Sequence, residues 1–302
     1  MNIFLEPPFL KKGDTIYLLS ISKKIEISEI EFAIQWLKNE GYEVVLGKTI
    51  QNAYHQFSGT DQERQKDFQT ALNDPNVKAI FFARGGYGAQ RVIDLIDFRG
   101  FINQPKWLIG FSDITIVHNL VNQFYGIQTM HAPMPITMPQ NTEASLKHLS
   151  QIMKGEKEPI SFETSSYNKG ASFEGQVIGG NLSILYSLLG TNNGVQTNDK
   201  ILFIEDIDEY LYHIDRMMLS LKKAKKLEGL KGIIVGGFTD IKDNEIPFGF
   251  QIEEIILEHC KEYDYPIVFD APIGHISNHI PIILGANIHV KQEKENTIIS
   301  YI

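Results

Sequence analysis

The sequence of 302 residues predicts an α/β fold, with a mostly parallel sheet first and a smaller, mixed α/β unit after it. Short apolar runs alternate with helical patterns in units of about 30 residues, which is typical of parallel strands joined by helices. Glycine- or serine-containing corners follow several of these runs, where sites of parallel sheets are found. Hydrophobic residues make up 43% of the chain and charged residues 22%, as in ordinary globular proteins.

The first half predicts four strands with helices between them. The predicted strands cover residues 15–19, 44–46, 79–82 and a run that starts at 107. The predicted helices cover residues 29–40, 61–72, 90–96 and 116–124. The helix at 29–40 places Ile30, Ala33 and Leu37 on one face and ends at Gly41, a residue that commonly follows a helix.

From about Pro139 the composition changes. Residues 140–172 are polar and contain turn-forming clusters, so we predict a linker there, between an N-terminal domain at 1–139 and a C-terminal domain at 173–302. In the second half the pattern predicts helices over 182–189, 211–226 and 251–261. It also predicts strands over 200–204, 232–235, 267–269, 282–284 and 297–301.

Charge and cysteine content restrict the function classes. The net charge of −9, from 28 basic and 37 acidic residues, argues against nucleic acid or an anionic membrane as the main partner. Cys260 is the only cysteine, so no disulfide can form within the chain and a reducing compartment is expected. No basic and apolar leader opens the sequence, and no run of 18 apolar residues occurs. We therefore expect a cytoplasmic protein.

The corner at Ser112 is the strongest candidate site. The apolar run from Trp107 enters Gly110-Phe111-Ser112, and an amphipathic helical pattern follows. A turn between a strand and a helix exposes a serine hydroxyl and directs backbone N–H groups toward an oxyanion. Ser112 is therefore either a nucleophile or, as is common for a serine before a helix, only an N-cap.

A serine nucleophile needs a base and a group that orients the base. Of the nine histidines, His275 follows a strand and a glycine on a loop, where functional residues gather; His279 is a nearby alternative. His118, in the helix after Ser112, is expected to pack or to form a hydrogen bond on the helix face. The orienting carboxylate comes from Glu205, Asp206, Asp208 or Glu209, and Glu205 is the first of these after its strand.

The glycine-rich loop Arg84-Gly85-Gly86-Tyr87-Gly88 also follows a predicted strand. It lacks the spacing of known phosphate-binding loops, and its glycines suit close approach to a substrate with a free N–H as oxyanion donor. The Glu258-His259-Cys260 run does not direct its side chains to one centre, so we expect no metal and no cofactor.

Several motifs occur together in a fixed order. They are Lys12-Gly13-Asp14-Thr15-Ile16, Gly59-Thr60-Asp61 with Arg64, Asp74-Pro75, Ala83 to Gly88, Ile109 to Thr115, Thr129 to Met134, Gly179 to Ser183, Phe203 to Asp206 and Gly274-His275. In this order they resemble the LD-carboxypeptidase family of serine peptidases, which includes murein tetrapeptide carboxypeptidases and microcin C self-immunity peptidases. The resemblance covers nearly the whole chain.

The resemblance implies a flavodoxin-like N-terminal domain and a smaller C-terminal domain. It also implies a triad of Ser112, Glu205 and His275, with an oxyanion bound by the N–H of Asp113 and one from the Gly85-Gly86 turn. Arg84 is a candidate for binding the terminal carboxylate of a substrate, although an internal ion pair is an equal alternative.

The activity implied is hydrolysis of an amide between an L-centre and a C-terminal D-residue, which releases D-alanine from a murein tetrapeptide in peptidoglycan recycling. The expected partner is a small muropeptide, with no nucleic acid and no membrane, and a homodimer is expected as in many such families. A second reading is a self-immunity peptidase that cleaves a peptidyl or aminoacyl nucleotide antibiotic. A third, from another class, is a non-catalytic binding module on the same fold.

Overall fold

In the computed structural model, which describes residues 4–302, the chain forms two β-sheets and nine α-helices. The strands of the first sheet are β1 Thr15–Leu19, β2 Glu43–Leu46, β3 Val77–Phe82, β4 Trp107–Gly110, β5 Thr129–His131 and β11 Ile282–Leu284. Those of the second are β6 Ile160–Glu163, β7 Phe173–Asn181, β8 Lys200–Ile207, β9 Gly232–Thr239, β10 Ile267–Val268, β12 Asn287–Gln292 and β13 Asn296–Tyr301. The helices are α1 Ile27–Asn39, α2 Asp61–Asn73, α3 Ala89–Val92, α4 Arg99–Asn103, α5 Thr115–Leu120, α6 Glu143–Met153, α7 Leu182–Ser187, α8 Leu211–Lys223 and α9 Ile252–His259.

The strand orders confirm the predicted α/β class with a mostly parallel first sheet. The order of the first sheet is β11-β5-β4-β3-β1-β2, and all its strands are parallel except β11, which is antiparallel to β5. The second sheet has the order β10-β9-β8-β7-β12-β13-β6. Its first four strands are parallel, and the remaining pairs are antiparallel.

Strand β11 links the two halves of the chain. The sequence predicts it as a strand of the second half, but it pairs with β5 of the first sheet, Ile282 opposite His131 and Leu284 opposite Thr129. Its side chains alternate: Ile283 packs in the core of the first sheet, while Ile282 and Leu284 pack in the core of the second. All three are fully buried, and burying such a side chain contributes about 2 kcal/mol.

The segment 140–172, predicted as a linker, contains helix α6 and strand β6. Thr142 begins α6 by accepting a hydrogen bond from the Ser145 N–H at 3.1 Å, and β6 forms the edge of the second sheet beside β13. The polar outer faces of these elements explain why the pattern suggested a linker. The domain boundaries at 139 and 173 stay predictions.

The carboxyl ends of the two sheets' parallel strands lie against each other. The Asn181 N–H, at the end of β7, donates to Thr115 Oγ1 at 3.0 Å in α5. Gly180, with φ +137°, allows this approach, because a Cβ there would lie 2.5 Å from Thr115 Oγ1. A second contact joins His131 Nδ1, at the end of β5, to His279 Nε2 at 3.1 Å. Loops from both sheets therefore meet at one place.

Three histidines near this junction are buried and neutral. His118, His131 and His279 are at most 1% exposed. Burial lowers the pKa of His118 to about 4 and the pKa values of the other two well below the ordinary value of 6.5. His118 Nε2 lies 2.8 Å from the Gly110 carbonyl oxygen and thereby fixes the end of β4.

Among the helices of residues 4–302, none combines the length and the apolar character that a membrane span needs.

The buried His118 should make stability depend on pH. The unfolded chain gains a proton on this histidine below about 6.5, but the folded chain gains it only near pH 4. The free energy of unfolding should therefore fall as pH falls from 6.5 toward 4, by about 1.4 kcal/mol per pH unit from this group. In His118→Gln, whose amide can still donate to Gly110, urea unfolding at several pH values should show a smaller decrease. The exposed His55, changed to Gln, is the matched control, and an unchanged slope in His118→Gln would contradict the assignment.

Candidate active site

Ser112 lies at the carboxyl end of β4 in a strained conformation. Its φ is +62°, in the left-handed region that non-glycine residues seldom adopt and that costs on the order of 1–3 kcal/mol. The helical turn that starts at Ser112 has Phe111 at its N-cap position, so Ser112 does not serve as that cap. Among residues 4–302 the Ser112 hydroxyl has no hydrogen-bond partner, which leaves it available to a base or a substrate. Strain of this kind is typical of functional positions.

The Asp113 side chain holds the Ser112 turn in place. This carboxylate is 1% exposed and accepts hydrogen bonds from Ser22 Oγ at 2.5 Å and from the Ala89 N–H at 2.9 Å. Burial raises the pKa of Asp113, and these two bonds oppose that shift. Because Ser22 follows β1 and Ala89 follows the glycine-rich loop, the one carboxylate joins three strand-end loops.

The glycine-rich loop at 84–88 packs directly against the serine. A Cβ at Gly85 would lie 3.0 Å from both Cβ and Oγ of Ser112. The backbone N–H groups of Gly85, Gly86 and Asp113 have no acceptor among residues 4–302. These N–H groups can therefore donate to a ligand, and their role as an oxyanion site stays a prediction.

Two arginines flank this loop and have different surroundings. Arg64 is fully buried and donates to the carbonyl groups of Gly59, Ile21 and Gly88, the last at 2.9 Å. The bond to Gly88 holds the backbone of the glycine-rich loop in place. Arg84, a predicted substrate-binding residue, donates to the Lys24 carbonyl at 3.1 Å and lies 3.8 Å from a Glu29 carboxylate oxygen.

The second sheet supplies an imidazole and a carboxylate in direct contact. His275 Nδ1 lies 2.6 Å from Glu205 Oε2. Glu205, in β8, is fully buried, and the side chain of His275 is 13% exposed. Gly274, with φ +116°, permits this contact, since a Cβ there would lie 2.8 Å from Glu205 Cβ and Oε2.

Electrostatics makes His275 more basic than usual. Burial would lower its pKa, but the charge of Glu205, the hydrogen bond to it and the charge of Asp206 together raise the pKa above 6.5. The carboxylate favours the protonated imidazole that forms when His275 takes up a proton. This is a property that a general base requires.

The other candidate carboxylates have different partners. Asp206 accepts hydrogen bonds from Asn181 Nδ2 at 2.9 Å and from the Ser183 N–H at 2.8 Å, and so it fixes the start of α7. Asp208 pairs with Lys242, and Glu209 contacts His213 at 2.5 Å. Of the four candidates considered from the sequence, Glu205 is the one that contacts His275.

The ring of Phe111 brings the two halves of the site together. This residue immediately precedes Ser112, and its ring centroid lies 4.6 Å from that of His275. The serine, the imidazole and the carboxylate therefore lie at the same junction, with N–H donors beside the serine. Such a set can perform nucleophilic chemistry at a carbonyl carbon. In the described ranges no group of three His, Cys, Asp or Glu side chains is placed to hold a metal ion.

Reasoning from sequence missed the contribution of Ser22, which follows β1, and the contact between the buried His131 and His279. A signal for Ser22 was present, because residues that follow a parallel strand lie at the edge where sites form. His131 lies in one of the motifs and His279 was considered as a base, but their contact has no local signal, because 148 residues separate them in the sequence.

Comparison with known proteins indicates which class of protein this chain resembles. The probable murein peptide carboxypeptidase of Bacillus subtilis is 32% identical over 304 residues, which cover 97% of this chain and 94% of that protein. The murein tetrapeptide carboxypeptidase of Pseudomonas aeruginosa is 27% identical and covers 86% of this chain and 87% of its own. These relatives place the chain among the carboxypeptidases.

Comparisons with protein families and with solved structures support the same class. The chain belongs to the LD-carboxypeptidase family: the family's N-terminal domain matches residues 16–132 and its C-terminal domain residues 174–290. This confirms the resemblance seen in the motifs. The crystal structure of a muramoyltetrapeptide carboxypeptidase from Oxalobacter formigenes is 25% identical, with a TM-score of 0.87 over 95% of this chain and 98% of its own. The microcin C7 self-immunity protein MccF, solved with aspartyl sulfamoyl adenosine, has the same fold at 21% identity, with a TM-score of 0.87 and 98% of each chain covered.

The close contact between the glycine-rich loop and Ser112 can be tested by adding one methyl group. Gly85→Ala should lower kcat for hydrolysis by about 10-fold or more, because its Cβ would force the loop or the serine to move. Gly100→Ala in α4 is the matched control, since its Cβ would meet only Asn73 Oδ1 at 3.5 Å, and it should retain full activity. Equal activity of both variants would show that the loop does not position the serine.

Proposed function

We propose that this protein is a serine carboxypeptidase that hydrolyses an L,D-amide bond and releases a C-terminal D-amino acid, D-alanine, from a murein tetrapeptide. The observation that supports hydrolysis is the buried Glu205–His275 contact, together with a strained Ser112 whose neighbour Phe111 packs its ring on His275. The murein peptide carboxypeptidases among the relatives support the substrate class. Peptidoglycan recycling is the process that consumes such a tetrapeptide.

The proposed reaction is acyl transfer through a triad of Ser112, His275 and Glu205. His275 Nε2 takes the proton of the Ser112 hydroxyl while Oγ attacks the carbonyl carbon, and Glu205 holds Nδ1 and stabilises the imidazolium. The imidazolium then protonates the leaving amine of D-alanine as the C–N bond breaks. Water, deprotonated by His275, hydrolyses the resulting acyl-enzyme.

The negative oxygen formed on attack is stabilised by backbone donors. The N–H of Asp113 and one from Gly85 or Gly86 suit this role, because they lie beside Ser112 and have no acceptor among residues 4–302. A donor of this kind typically lowers the barrier by about 3 kcal/mol. The bonds of Arg64 and Asp113 keep these donors in place before substrate arrives.

A second candidate substrate is an aminoacyl or peptidyl nucleotide antibiotic. The common fold with MccF, which was solved with aspartyl sulfamoyl adenosine, is the observation in its favour. A non-catalytic binding module is the third alternative. A cytoplasmic location and a homodimer stay predictions from the sequence.

The first test is D-alanine release from L-Ala-D-Glu-diaminopimelate-D-Ala. Wild type should release D-alanine, and Ser112→Ala should lose activity on the order of 10³-fold or more, because the nucleophile is absent. His275→Ala should lose a similar factor, and the double variant little further, since the residues act as a unit.

The outcomes separate the three candidates. Wild type that cleaves aspartyl sulfamoyl adenosine but not the tetrapeptide would replace the murein substrate by the nucleotide antibiotic. Tetrapeptide binding by folded wild type without any hydrolysis would favour the binding module. Hydrolysis that survives in Ser112→Ala would overturn the proposed nucleophile.

The role of Glu205 can be tested through the pH profile. The base must be neutral, so wild-type kcat/KM should fall as pH drops through a pKa above 6.5. Glu205→Gln removes the charge that raises this pKa, so the acidic limb should move to lower pH while the maximum rate falls on the order of 10²- to 10⁴-fold. Asp206→Asn is the comparison, and a larger shift of the limb in that variant would assign the orienting role to Asp206.

A further inference from the structure

Lys23 occupies a fixed position beside the glycine-rich loop. Its N–H donates to the Gly85 carbonyl at 3.4 Å, and its own carbonyl accepts from Ser20 Oγ at 2.9 Å. An isolated antiparallel bridge joins Lys23 to Phe57. These three contacts fix the backbone of Lys23 in the loop that follows β1.

The aliphatic part of the Lys23 side chain lies on Gly86. A Cβ at Gly86 would stand 2.6 to 3.0 Å from Cδ, Cγ and Cε of Lys23. The preceding residue, Gly85, makes the equivalent close approach to Ser112. Lys23 and the serine thus pack against consecutive residues of one turn, and long charged side chains commonly pack their stems in this way while the charge stays available.

Charge distinguishes Lys23 from the two arginines at this loop. Among residues 4–302 no carboxylate oxygen lies within 4 Å of its ammonium group. Arg64 is fully buried and its guanidinium is bonded to carbonyl groups and to Asp61. Arg84 donates to the Lys24 carbonyl and approaches Glu29. Of Lys23, Arg64 and Arg84, Lys23 is therefore the one whose charge has no partner among residues 4–302.

We propose that Lys23 binds the C-terminal carboxylate of the peptide and so makes the enzyme an exopeptidase. This inference rests on the proposed carboxypeptidase function. In such a substrate the terminal carboxylate lies one residue, about 3.5 Å along the chain, beyond the scissile amide. A cation whose stem lies next to the candidate oxyanion donors can reach a carboxylate at that distance. A charge-assisted hydrogen bond then favours a free carboxylate over a neutral chain end.

The test pairs two peptides with three variants. The peptides are L-Ala-D-Glu-diaminopimelate-D-Ala and the same peptide with a C-terminal D-alaninamide. Lys23→Met keeps the stem and removes the charge, Lys24→Met makes the same change at the exposed neighbour, and Arg84→Met tests the other candidate. Lys23→Met should lower kcat/KM on the free acid by about 10- to 100-fold and leave the amide within about 3-fold of wild type. Lys24→Met should behave as wild type on both, and Lys23→Arg should recover part of the loss.

Three outcomes would overturn the inference about Lys23. Equal loss on both peptides in Lys23→Met would mean that Lys23 supports the chemical step or the loop, and no loss on either would mean that it does not contact substrate. A loss confined to the free acid in Arg84→Met but not in Lys23→Met would transfer the role to Arg84. Failure of folded wild type to release D-alanine from the free acid would instead contradict the proposed function, which separates the two failures.

Discussion

The contact between Glu205 and His275 is the constraint on which the rest of the site depends. A fully buried carboxylate is costly unless a charged or hydrogen-bonding partner compensates it, and Glu205 Oε2 has such a partner in His275 at 2.6 Å, while Oε1 has none among residues 4–302. Burial also keeps water away from the pair and strengthens it. The neighbouring backbone is adapted to this contact, since a side chain at Gly274 would overlap Glu205. The imidazole is therefore held in one orientation.

The candidate nucleophile and its candidate base belong to different sheets, so the site depends on how the sheets are joined. Strand β11 adds to the first sheet but buries Ile282 and Leu284 in the core of the second. The Asn181–Thr115 and His131–His279 hydrogen bonds join the loops on either side of Ser112 and His275. These contacts are made of buried groups, so relative movement of the sheets would leave polar atoms unpaired.

Sequence reasoning succeeded where the signal was local. Ser112 follows β4, as its apolar run predicted, whereas Glu205, expected just after a strand ending at residue 204, lies within β8, which continues to Ile207. The structure brings Glu205 into contact with His275. Sequence reasoning failed where position depends on distant partners. Residues 282–284 read as a strand, but their pairing with β5 across the chain could not be deduced. Helix α6 was not predicted, because the polar residues of its outer face resemble those of a linker. The position of Lys23 depends on the turn at Gly86, more than 60 residues away in the sequence.

One aromatic ring shows how the site controls protonation. Phe111 contacts three histidines, with ring centroids 4.6 Å from His275, 4.8 Å from His279 and 5.7 Å from His131. Burial lowers the pKa of His131 and His279 well below 6.5, whereas that of His275 is raised. The difference is the carboxylate of Glu205, which contacts His275 alone of the three. Only this imidazole is therefore suited to take up a proton near neutral pH. A positive charge on either neighbour would repel the imidazolium that forms on His275, so their neutrality favours its role as a base.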